Sequence, residues 1–323
     1  MPEINEIRAF IKPEMEKFES FFKNAVKSNV PLLDIIMNYI IRRKGKQMRP
    51  MFVFLSAKLA GGVTESTYTA AALIELLHTA TLIHDDVVDN SDKRRGFLSV
   101  NALWRSKIAV LAGDYLLSKG LLLAVQNKEF KLLEIVSEAV KEMAEGELMQ
   151  IEKSRKLDIN EKTYFDIIYK KTATLIASCT AAGAASAGIN GENLEKFKQF
   201  GKYAGITFQI KDDLFDYQKT NLTGKPSGND IQEKKMTLPL IHALENAEKN
   251  EKKHILKLIG KHDRKKHIPE IINFVKKKDG LKYTEQKMIE YKNNALNNLS
   301  NFPDSEAKKY LSDLVEYITS RKK

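Results

Sequence analysis

Apolar residues recur every three or four positions along almost the whole chain, which is the spacing of one face of an α-helix. No stretch alternates apolar and polar residues convincingly enough to indicate a β-strand. Three segments, 64–90, 160–188 and 192–217, are apolar nearly all round or rich in Ala, which is typical of helices inside a bundle. The fold class that follows is all-α, a large helical bundle. The predicted helices cover residues 14–28, 32–43, 47–61, 64–90, 106–126, 129–154, 160–188, 192–217, 236–248, 252–260, 268–278, 281–300 and 304–321.

The predicted helices end where the sequence contains helix-breaking residues. Gly61 and Gly62 end one helix, and Ser305 begins the last one. Residues 220–235 form the longest predicted loop. The chain contains no internal repeat and no linker rich in Pro, Gly and Ser, so we expect a single domain over residues 1–323.

Charge and cysteine content narrow the cellular setting. The net charge of +11 predicts an anionic partner, such as a phosphate, an anionic lipid or a nucleic acid. Much of the excess lies in residues 249–280, where acidic and apolar residues at helical spacing and few aromatic residues favour a solvated helical surface over nucleic-acid binding. Cys179 is the only cysteine, which fits a reducing compartment. Because no apolar stretch of about 18 residues and no signal-peptide region are present, we expect a cytoplasmic protein without a transmembrane helix.

Three aspartates in the sequence TLIHDDVVDNSDKRRG follow an apolar helix. Carboxylates four residues apart on a helix repel each other, and the C-terminal end of a helix disfavours anions. Mg²⁺, which binds one or two carboxylates together with substrate phosphates, would remove this cost. A single cluster is equally well a solvated helix face, but QIKDDLFDYQK repeats the spacing after a second apolar helix, which favours metal binding. The candidate carboxylates are Asp85, Asp86, Asp89, Asp212, Asp213 and Asp216.

Cationic residues follow both aspartate motifs and occur in two further short segments. Arginine matches phosphate oxygens in a bidentate way, and lysine acts as a point charge. Carboxylates that need a cation, beside cations that need an anion, fit a metal–diphosphate substrate. A network of salt bridges within the protein is the alternative, but it does not require the same acidic motif twice. The residues that carry this argument are Lys46, Arg49, Arg94, Arg95, Lys171, Thr172, Lys225 and Lys235.

Six motifs in this order resemble those of the trans-isoprenyl diphosphate synthases, the head-to-tail polyprenyl diphosphate synthases of octaprenyl type. The motifs are GKQMRP, LLHTATLIHDDVVDNSDKRRG, GDYLLS, KTATL, FQIKDDLFDY and GKPSGNDIQEKKMTLPL. The chain departs from the family pattern at two positions. Lys44 precedes Gly45 where the family commonly has a second Gly, and Lys234 precedes Lys235 where the family commonly has Gly. Neither departure removes a charge that the chemistry needs.

The resemblance implies a helical bundle around a central cavity, the isoprenoid synthase fold, in one polyprenyl synthetase domain that forms a homodimer. It also implies Mg²⁺ as cofactor, up to three ions per active site with substrate bound. An allylic diphosphate and isopentenyl diphosphate are bound together. The allylic carbon–oxygen bond ionises, the alkene of isopentenyl diphosphate attacks the cation, and a proton is lost. Metal ions and cationic side chains stabilise the departing diphosphate.

The resemblance also assigns roles to individual residues. The Mg²⁺ ligands would be Asp85, Asp89 and Asp212, with Asp86 and Asp216 supporting and Asp213 counted among the catalytic residues. The allylic diphosphate would be held by Arg94, Lys171, Lys225 and Lys235. Isopentenyl diphosphate would be held by Lys46, Arg49, His78 and Arg95, while Thr172 and Gln209 lie near the allylic cation. His78 shares a helix face with Asp85, two turns away, although a core histidine is the alternative.

Product length remains open at this point. In the family, the residues four and five positions before the first aspartate often set the depth of the cavity, and here they are Thr81 and Ala80. Small side chains leave room for a long apolar ligand, which predicts a product of about C30 to C50. The next barrier would lie at Leu77, a turn deeper, or across the cavity at Leu117.

Several alternatives remain. A short-chain farnesyl or geranylgeranyl diphosphate synthase differs only in product length. A terpene cyclase shares the first aspartate motif but normally lacks the second, so KDDLFD argues against it. A non-catalytic regulatory subunit of a synthase usually loses aspartates or arginines that are all present here, and a nucleic-acid binder explains neither acidic cluster. A peripheral membrane contact for product release is also left open.

Overall fold

The computed structural model describes residues 4–42, 45–94, 96–217 and 228–321, and most of these residues are helical. The first half of the chain forms α1 (Ile4–Phe10), α2 (Lys12–Ala25), α3 (Pro31–Ile41), α4 (Met48–Ala60), α5 (Glu65–Val88), α6 (Val100–Gln126) and α7 (Phe130–Lys156). The second half forms α8 (Glu161–Ile168), α9 (Thr174–Ser186), α10 (Gly191–Asp216), α11 (Asn229–Gln232), α12 (Leu238–Glu245), α13 (Lys249–Gly260), α14 (Ile268–Lys277), α15 (Gly280–Ser300) and α16 (Glu306–Ser320).

A few short elements join these helices. A π-helical turn, Tyr169–Ala173, connects α8 to α9, and a 3₁₀ turn, Arg264–His267, precedes α14. Between α5 and α6, the two-residue strands β1 (Lys93–Arg94) and β2 (Phe97–Leu98) pair in antiparallel register. This hairpin directly follows the first aspartate motif and therefore fixes the position of Arg94.

The all-α prediction is confirmed, and the helices differ from it mainly at irregular positions. The predicted helix 160–188 is interrupted by the π-helical turn. α6 begins before residue 106, but Arg105 has a φ of 69°, so the regular helix starts where the pattern predicted. One predicted helix end and one predicted helix start are confirmed. Gly61 ends α4 with a φ of 134°. Ser305 begins α16, and its hydroxyl accepts the Lys308 N–H at 3.2 Å.

α5 lies in the middle of the bundle because its side chains are apolar on almost every side. Leu73 and Ile74 are fully buried, and α4, α6 and α9 all pack against this helix. α4 and α9 come close because Gly183 has no side chain; a Cβ atom there would lie 2.3 Å from the Val53 carbonyl oxygen. The same apolar cluster contains Ile7 of α1 and Leu314 of α16. Both ends of the described chain thus contribute to the core that supports α5.

Among the described residues, one helix is long and apolar enough to cross a membrane. It is α6, of which one face packs against α5. The premise that no apolar stretch of this length exists was wrong, because Asp114 and Lys119 interrupt the run without lowering its mean hydropathy enough. Length and composition alone do not make α6 a membrane span, so the expectation of no transmembrane helix is not contradicted. The other face of α6 carries exposed apolar side chains at helical spacing, among them Leu111 and Leu122.

Candidate active site

The first aspartate motif lies at the C-terminal end of α5, beside a cavity of about 890 Å³. Asp85 and Asp89 line this cavity, and so do Thr81 and His78 from the two preceding turns. The Asp89 N–H donates to the Asp85 carbonyl oxygen at 2.8 Å and so forms the last turn of the helix. The cavity falls within the size range of small-molecule sites.

Asp86 faces away from the other two aspartates. Its side chain is buried, and one oxygen accepts a hydrogen bond from the Arg94 Nε at 2.7 Å. Arg94 itself lines the cavity. A buried carboxylate that is satisfied by an arginine acts as an anchor, so Asp86 positions Arg94 at the edge of the site.

The π-helical turn brings Lys171 and Thr172 to the same cavity. This turn packs closely on α7, because a Cβ atom on Gly146 would lie 2.7 Å from the Lys171 backbone nitrogen. Lys171 Nζ contacts Glu147 at 2.5 Å and donates to Gln150 at 3.2 Å, both on α7. π-Helical turns are frequent at functional sites, where they redirect a side chain without ending the helix.

Charges on the two sides of the cavity influence each other. Burial, and next the carboxylate of Glu147, raise the pKa of Asp85, while Arg94 and Lys171 oppose this effect. Lys171 also acts on Asp230, which lies beyond the second aspartate motif. The carboxylate of Asp85 is therefore in a place where an additional cation would be favourable.

Asp213 of the second motif is the centre of a buried hydrogen-bond network. It accepts from the Tyr164 hydroxyl at 2.6 Å and from the Gln209 side-chain amide at 2.8 Å. The Thr172 hydroxyl in turn donates to the Gln209 amide oxygen at 2.8 Å. Burial, and next Asp230, raise the pKa of Asp213 to about 8. The network holds Gln209 and Thr172 in fixed orientations next to Lys171.

The other two aspartates of this motif have different surroundings. The Asp216 carboxylate accepts the backbone N–H groups of Asn229 and Asp230 at 2.9 and 3.0 Å and so holds the start of α11. Asp212 pairs with Arg321, which follows α16, at 2.5 Å. Arg321 lines the cavity of about 890 Å³, so this pair places Asp212 at its border.

A smaller cavity of about 140 Å³ adjoins the site and shares Lys171 and Thr172 with the first. Gln209, Asp213 and Lys235 also line it. Lys235 is paired with Glu233. The preceding residue, Lys234, has a φ of 59°, the left-handed region that glycine adopts most easily, which explains why Gly is common at this family position.

The described residues proposed for isopentenyl diphosphate come from α5, from the start of α4 and from the residues just before it. Lys46, Arg49 and His78 all line the large cavity. Arg49 is bidentate to Glu75 of α5, with Nε–Oε2 and Nη2–Oε1 distances of 3.2 and 3.3 Å. Lys46 Nζ donates to the Tyr317 hydroxyl at 3.1 Å.

The two residues expected to set product length are placed differently. Thr81 lines the cavity, and its hydroxyl donates to the His78 carbonyl oxygen at 2.8 Å. Ala80 is fully buried in the apolar cluster between α5 and α6, against side chains such as Leu116. Leu117 lines the cavity as expected. A hydrocarbon chain in this cavity would therefore meet Thr81 before Ala80.

Sequence reasoning missed several partners of the predicted residues. Glu147 and Gln150 are three residues apart on α7, a polar pair that is recognisable only after α7 has been placed beside the site. Glu75 is the one acidic residue between the first residue of α5 and its C-terminal aspartates, in an otherwise nearly all-apolar stretch, and could have been noticed. Nothing in the local sequence marks Tyr164 or Arg321. Two predicted residues, Arg95 and Lys225, lie outside the described residues.

Comparison with known proteins agrees with this geometry. The polyprenyl synthetase family matches residues 30–275. The chain belongs to the polyprenyl synthetase family. It is therefore a trans-prenyltransferase that acts on isoprenyl diphosphates. It is 33% identical to the octaprenyl diphosphate synthase of Haemophilus influenzae, over 98% of this chain and 97% of that protein. It is also 33% identical to the geranylgeranyl diphosphate synthase of Saccharolobus solfataricus, over 93% and 94% of the two chains.

Among solved structures, the chain resembles a polyprenyl synthase from Caulobacter crescentus complexed with calcium and isoprenyl diphosphate. The TM-score is 0.88 at 30% identity, and the match covers 99% of this chain and 98% of that one. The isoprenoid synthase fold is confirmed by this similarity. Relatives at equal identity make products of different length, so the comparison gives the reaction class and leaves the chain length to be argued separately.

The residues of the site fit a metal ion that binds together with a diphosphate. In the described ranges, no three His, Cys, Asp or Glu side chains converge closely enough to hold a metal ion by themselves. Mg²⁺ commonly binds through one or two carboxylates, with water and substrate phosphates completing its octahedral shell. Asp85 and Asp89 offer two carboxylates from adjacent turns at the end of α5. Burial, and next the carboxylate of Glu147, raise the pKa of Asp85, so a bound cation would favour its ionised form.

Proposed function

We propose that this enzyme condenses isopentenyl diphosphate with an allylic diphosphate, in the presence of Mg²⁺, to make a medium- or long-chain all-trans polyprenyl diphosphate. One observation carries the proposal. Two carboxylates of the first aspartate motif, cations such as Arg94 and Lys171, and apolar residues such as Leu117 and Met143 line a single cavity. A ligand with an anionic head and an apolar tail matches this combination.

We assign the allylic diphosphate to the wall that contains Arg94 and Lys171. Mg²⁺, when bound with the diphosphate, neutralises the charge that develops on the departing group. Arg94 and Lys171 add positive charge at the same oxygens, and their contacts with the buried Asp86 and the half-buried Gln150 hold these side chains in reach. The allylic carbon–oxygen bond then breaks, and both electrons leave with the diphosphate.

We assign isopentenyl diphosphate to Lys46, just before α4, to Arg49, at the start of α4, and to His78 of α5. Its alkene attacks the allylic cation, a new carbon–carbon bond forms, and a proton passes to the released diphosphate. Thr172 lines the large cavity, and its hydrogen bond to Gln209 keeps both side chains oriented. Their fixed oxygens favour a nearby positive charge without acting as nucleophiles. No covalent intermediate with the chain is needed.

We place the product at about C30 to C50, with a farnesyl or geranylgeranyl diphosphate synthase as the alternative. Support comes from the small side chain of Thr81 on the cavity wall and from the unbranched, flexible Met143 across it, which can move to admit a chain. Against great length, the bulky apolar side chains of Phe52, Leu117 and Leu175 also line the cavity.

We propose that the enzyme is a cytoplasmic homodimer whose chain forms a single domain. Residues of α1, α2 and α16 share an apolar cluster with α4, α5 and α9, which supports one domain. The outer face of α6 supports the dimer. It exposes Leu103, Leu111, Leu121, Leu122 and Val125, an apolar area that a second copy would bury. If the protein is a monomer in solution, we assign this face to a membrane surface that accepts the product.

Product analysis tests the proposal. Purified enzyme is incubated with Mg²⁺, labelled isopentenyl diphosphate and farnesyl diphosphate, and the dephosphorylated products are sized. We expect a main product of about C30 or longer. Products that stop at C20 would keep the reaction and replace the proposed chain length with the short-chain alternative. No elongation with farnesyl, geranyl or dimethylallyl diphosphate would favour a non-catalytic subunit.

A further inference from the structure

The C-terminal turn of α16 contacts predicted site residues on two other elements. Arg321 Nη2 lies 2.5 Å from the Asp212 Oδ1 of α10. One turn earlier, the Tyr317 hydroxyl accepts a hydrogen bond from Lys46, which precedes α4. Ile318 and Arg321 both line the large cavity. This single turn therefore connects one group assigned to isopentenyl diphosphate with one assigned to Mg²⁺.

The Arg321 guanidinium is held more firmly than a surface side chain. It lies 4.1 Å from the centre of the Phe208 ring, and its Nη2 also donates to the Phe208 carbonyl oxygen at 3.3 Å. The Arg321 side chain is 11% exposed, whereas that of Asp212 is 40% exposed. A charge-assisted hydrogen bond with so little access to water is stronger than an ordinary surface ion pair.

The carboxylate in this pair is one of the three that the resemblance to the polyprenyl diphosphate synthases assigns to Mg²⁺. Arg321 contacts the Asp212 Oδ1, and a divalent cation bound to the same carboxylate would lie close to the guanidinium and repel it. Arg321 cannot become neutral by losing a proton. The repulsion therefore favours movement of the guanidinium away from Asp212.

We propose that Arg321 is the internal counter-ion of Asp212, and that a divalent cation displaces it and thereby releases the C-terminal turn of α16. This inference rests on the proposed function, because it takes Asp212 as a metal ligand. It adds a residue to the site that lies outside the six motifs and makes the position of α16 dependent on metal binding.

Linkage gives the expected size of the effect. If Arg321 competes with the metal ion for Asp212, removal of Arg321 raises the metal affinity. Metal binding in turn weakens the Arg321–Asp212 contact, which holds the end of α16, by the same factor. Such couplings typically change an affinity by about fivefold or more. The competition is direct, so no other part of the fold has to change.

The test is a calorimetric titration of the full chain with Mg²⁺ in the presence of inorganic diphosphate. Arg321→Gln removes the charge, and Lys309→Gln is the matched control. Lys309 is an exposed residue of the same helix, over the Tyr310 ring, and loses the same charge without touching Asp212. We expect Arg321→Gln to bind Mg²⁺ at least about fivefold more tightly than wild type, and Lys309→Gln to bind as wild type does.

Hydrogen exchange of residues 306–321 provides a second readout that does not depend on activity. We expect Mg²⁺ with diphosphate to speed exchange in this segment of the wild type. In Arg321→Gln, exchange should already be fast without Mg²⁺ and should not change further. Equal Mg²⁺ affinities, with no change in exchange, would overturn the inference while leaving the proposed function intact. Asp212→Asn with wild-type Mg²⁺ affinity would overturn the metal role of Asp212 and this inference with it, whereas absence of all prenyl transfer in the wild type would overturn the proposed function.

Discussion

At the scale of single residues, the cations of the site are already paired inside the protein. Arg94 contacts Asp86, Arg49 contacts Glu75, and Lys171 contacts Glu147. Each of these pairs keeps a charged side chain oriented before substrate arrives. A diphosphate that enters the site therefore meets positive charge that is already oriented.

Thr81 and Ala80 differ in their exposure to the cavity, and this difference makes a prediction about product length. We expect Thr81→Phe to shorten the main product, because the ring would project into the cavity beside Leu117. Ala80→Phe should shorten it less and should lower the free energy of unfolding by about 1–3 kcal/mol, since its methyl group is packed against α6.

Sizing the products of both variants, together with urea unfolding, checks this order. A stronger shortening by Ala80→Phe than by Thr81→Phe would show that the growing chain passes between α5 and α6.

Asp213 makes the stability of the metal-free enzyme depend on pH. Its pKa of about 8 in the folded state exceeds the value of 3.8 for the free side chain, so the folded protein keeps a proton that the unfolded chain loses. The free energy of unfolding should therefore fall as pH rises from about 4 to 8, by up to about 1.4 kcal/mol per pH unit from this group.

Asp213→Asn should flatten this dependence. Asp230, whose pKa is raised to about 6 by burial and next by Asp216, should leave a smaller slope below pH 6. Urea unfolding in EDTA at several pH values measures the slopes. Parallel curves for the wild type and the variant would show that Asp213 is ionised in the folded protein.

Among the elements, α7 packs closely against the π-helical turn and so positions Lys171 and Thr172 of the site. Gly146→Ala would place a Cβ atom 2.7 Å from the Lys171 backbone nitrogen and 2.8 Å from the Lys170 Cβ. We expect it to lower the free energy of unfolding by about 1–3 kcal/mol and to reduce turnover, since Lys171 and Thr172 must shift.

Gly260→Ala is the control for this substitution, because a Cβ atom at the end of α13 would meet nothing within 4 Å. It should leave turnover unchanged. Urea unfolding and initial rates compare the two variants, and wild-type rates in Gly146→Ala would mean that the close contact does not position Lys171.

Helices could be predicted from the sequence where a long apolar run ended at a clear polar motif. The apolar runs of α5 and α10 ended at acidic motifs, and both helices were located to within a few residues. The π-helical turn could not be predicted, because it depends on the contact between Gly146 and Lys171, which are distant in sequence. α1 was missed because its seven residues are too short for a clear period.

At the scale of the whole molecule, the outer face of α6 predicts a dimer. We expect light scattering to give about twice the chain mass of 36.7 kDa. Leu111→Lys combined with Leu122→Lys should dissociate the dimer, because both side chains are more than half exposed on this face. Ile289→Lys, an exposed apolar position on α15, should not. A wild type of single-chain mass would contradict the dimer.

The sequence predicted many of the residues that face the cavity, but not the residues that hydrogen-bond to them or pair with them. The spacing of the aspartates and the nearby cations placed most candidates around one cavity. The partners that orient them, Glu75, Glu147 and Tyr164, were missed because each lies on an element whose position only the tertiary structure provides. Motif spacing therefore identified the groups that act on substrate, and packing identified the groups that hold them.

The central claim is that the two aspartate motifs hold the metal ion with the diphosphate. The most direct test is the Mg²⁺-dependent turnover of Asp85→Ala and Asp212→Ala, with Asp158→Ala, an exposed loop position, as the control. We predict a loss of about a thousandfold or more for the two motif variants, with folding retained in urea unfolding, and no loss for the control. Near-normal turnover in either motif variant would contradict the account.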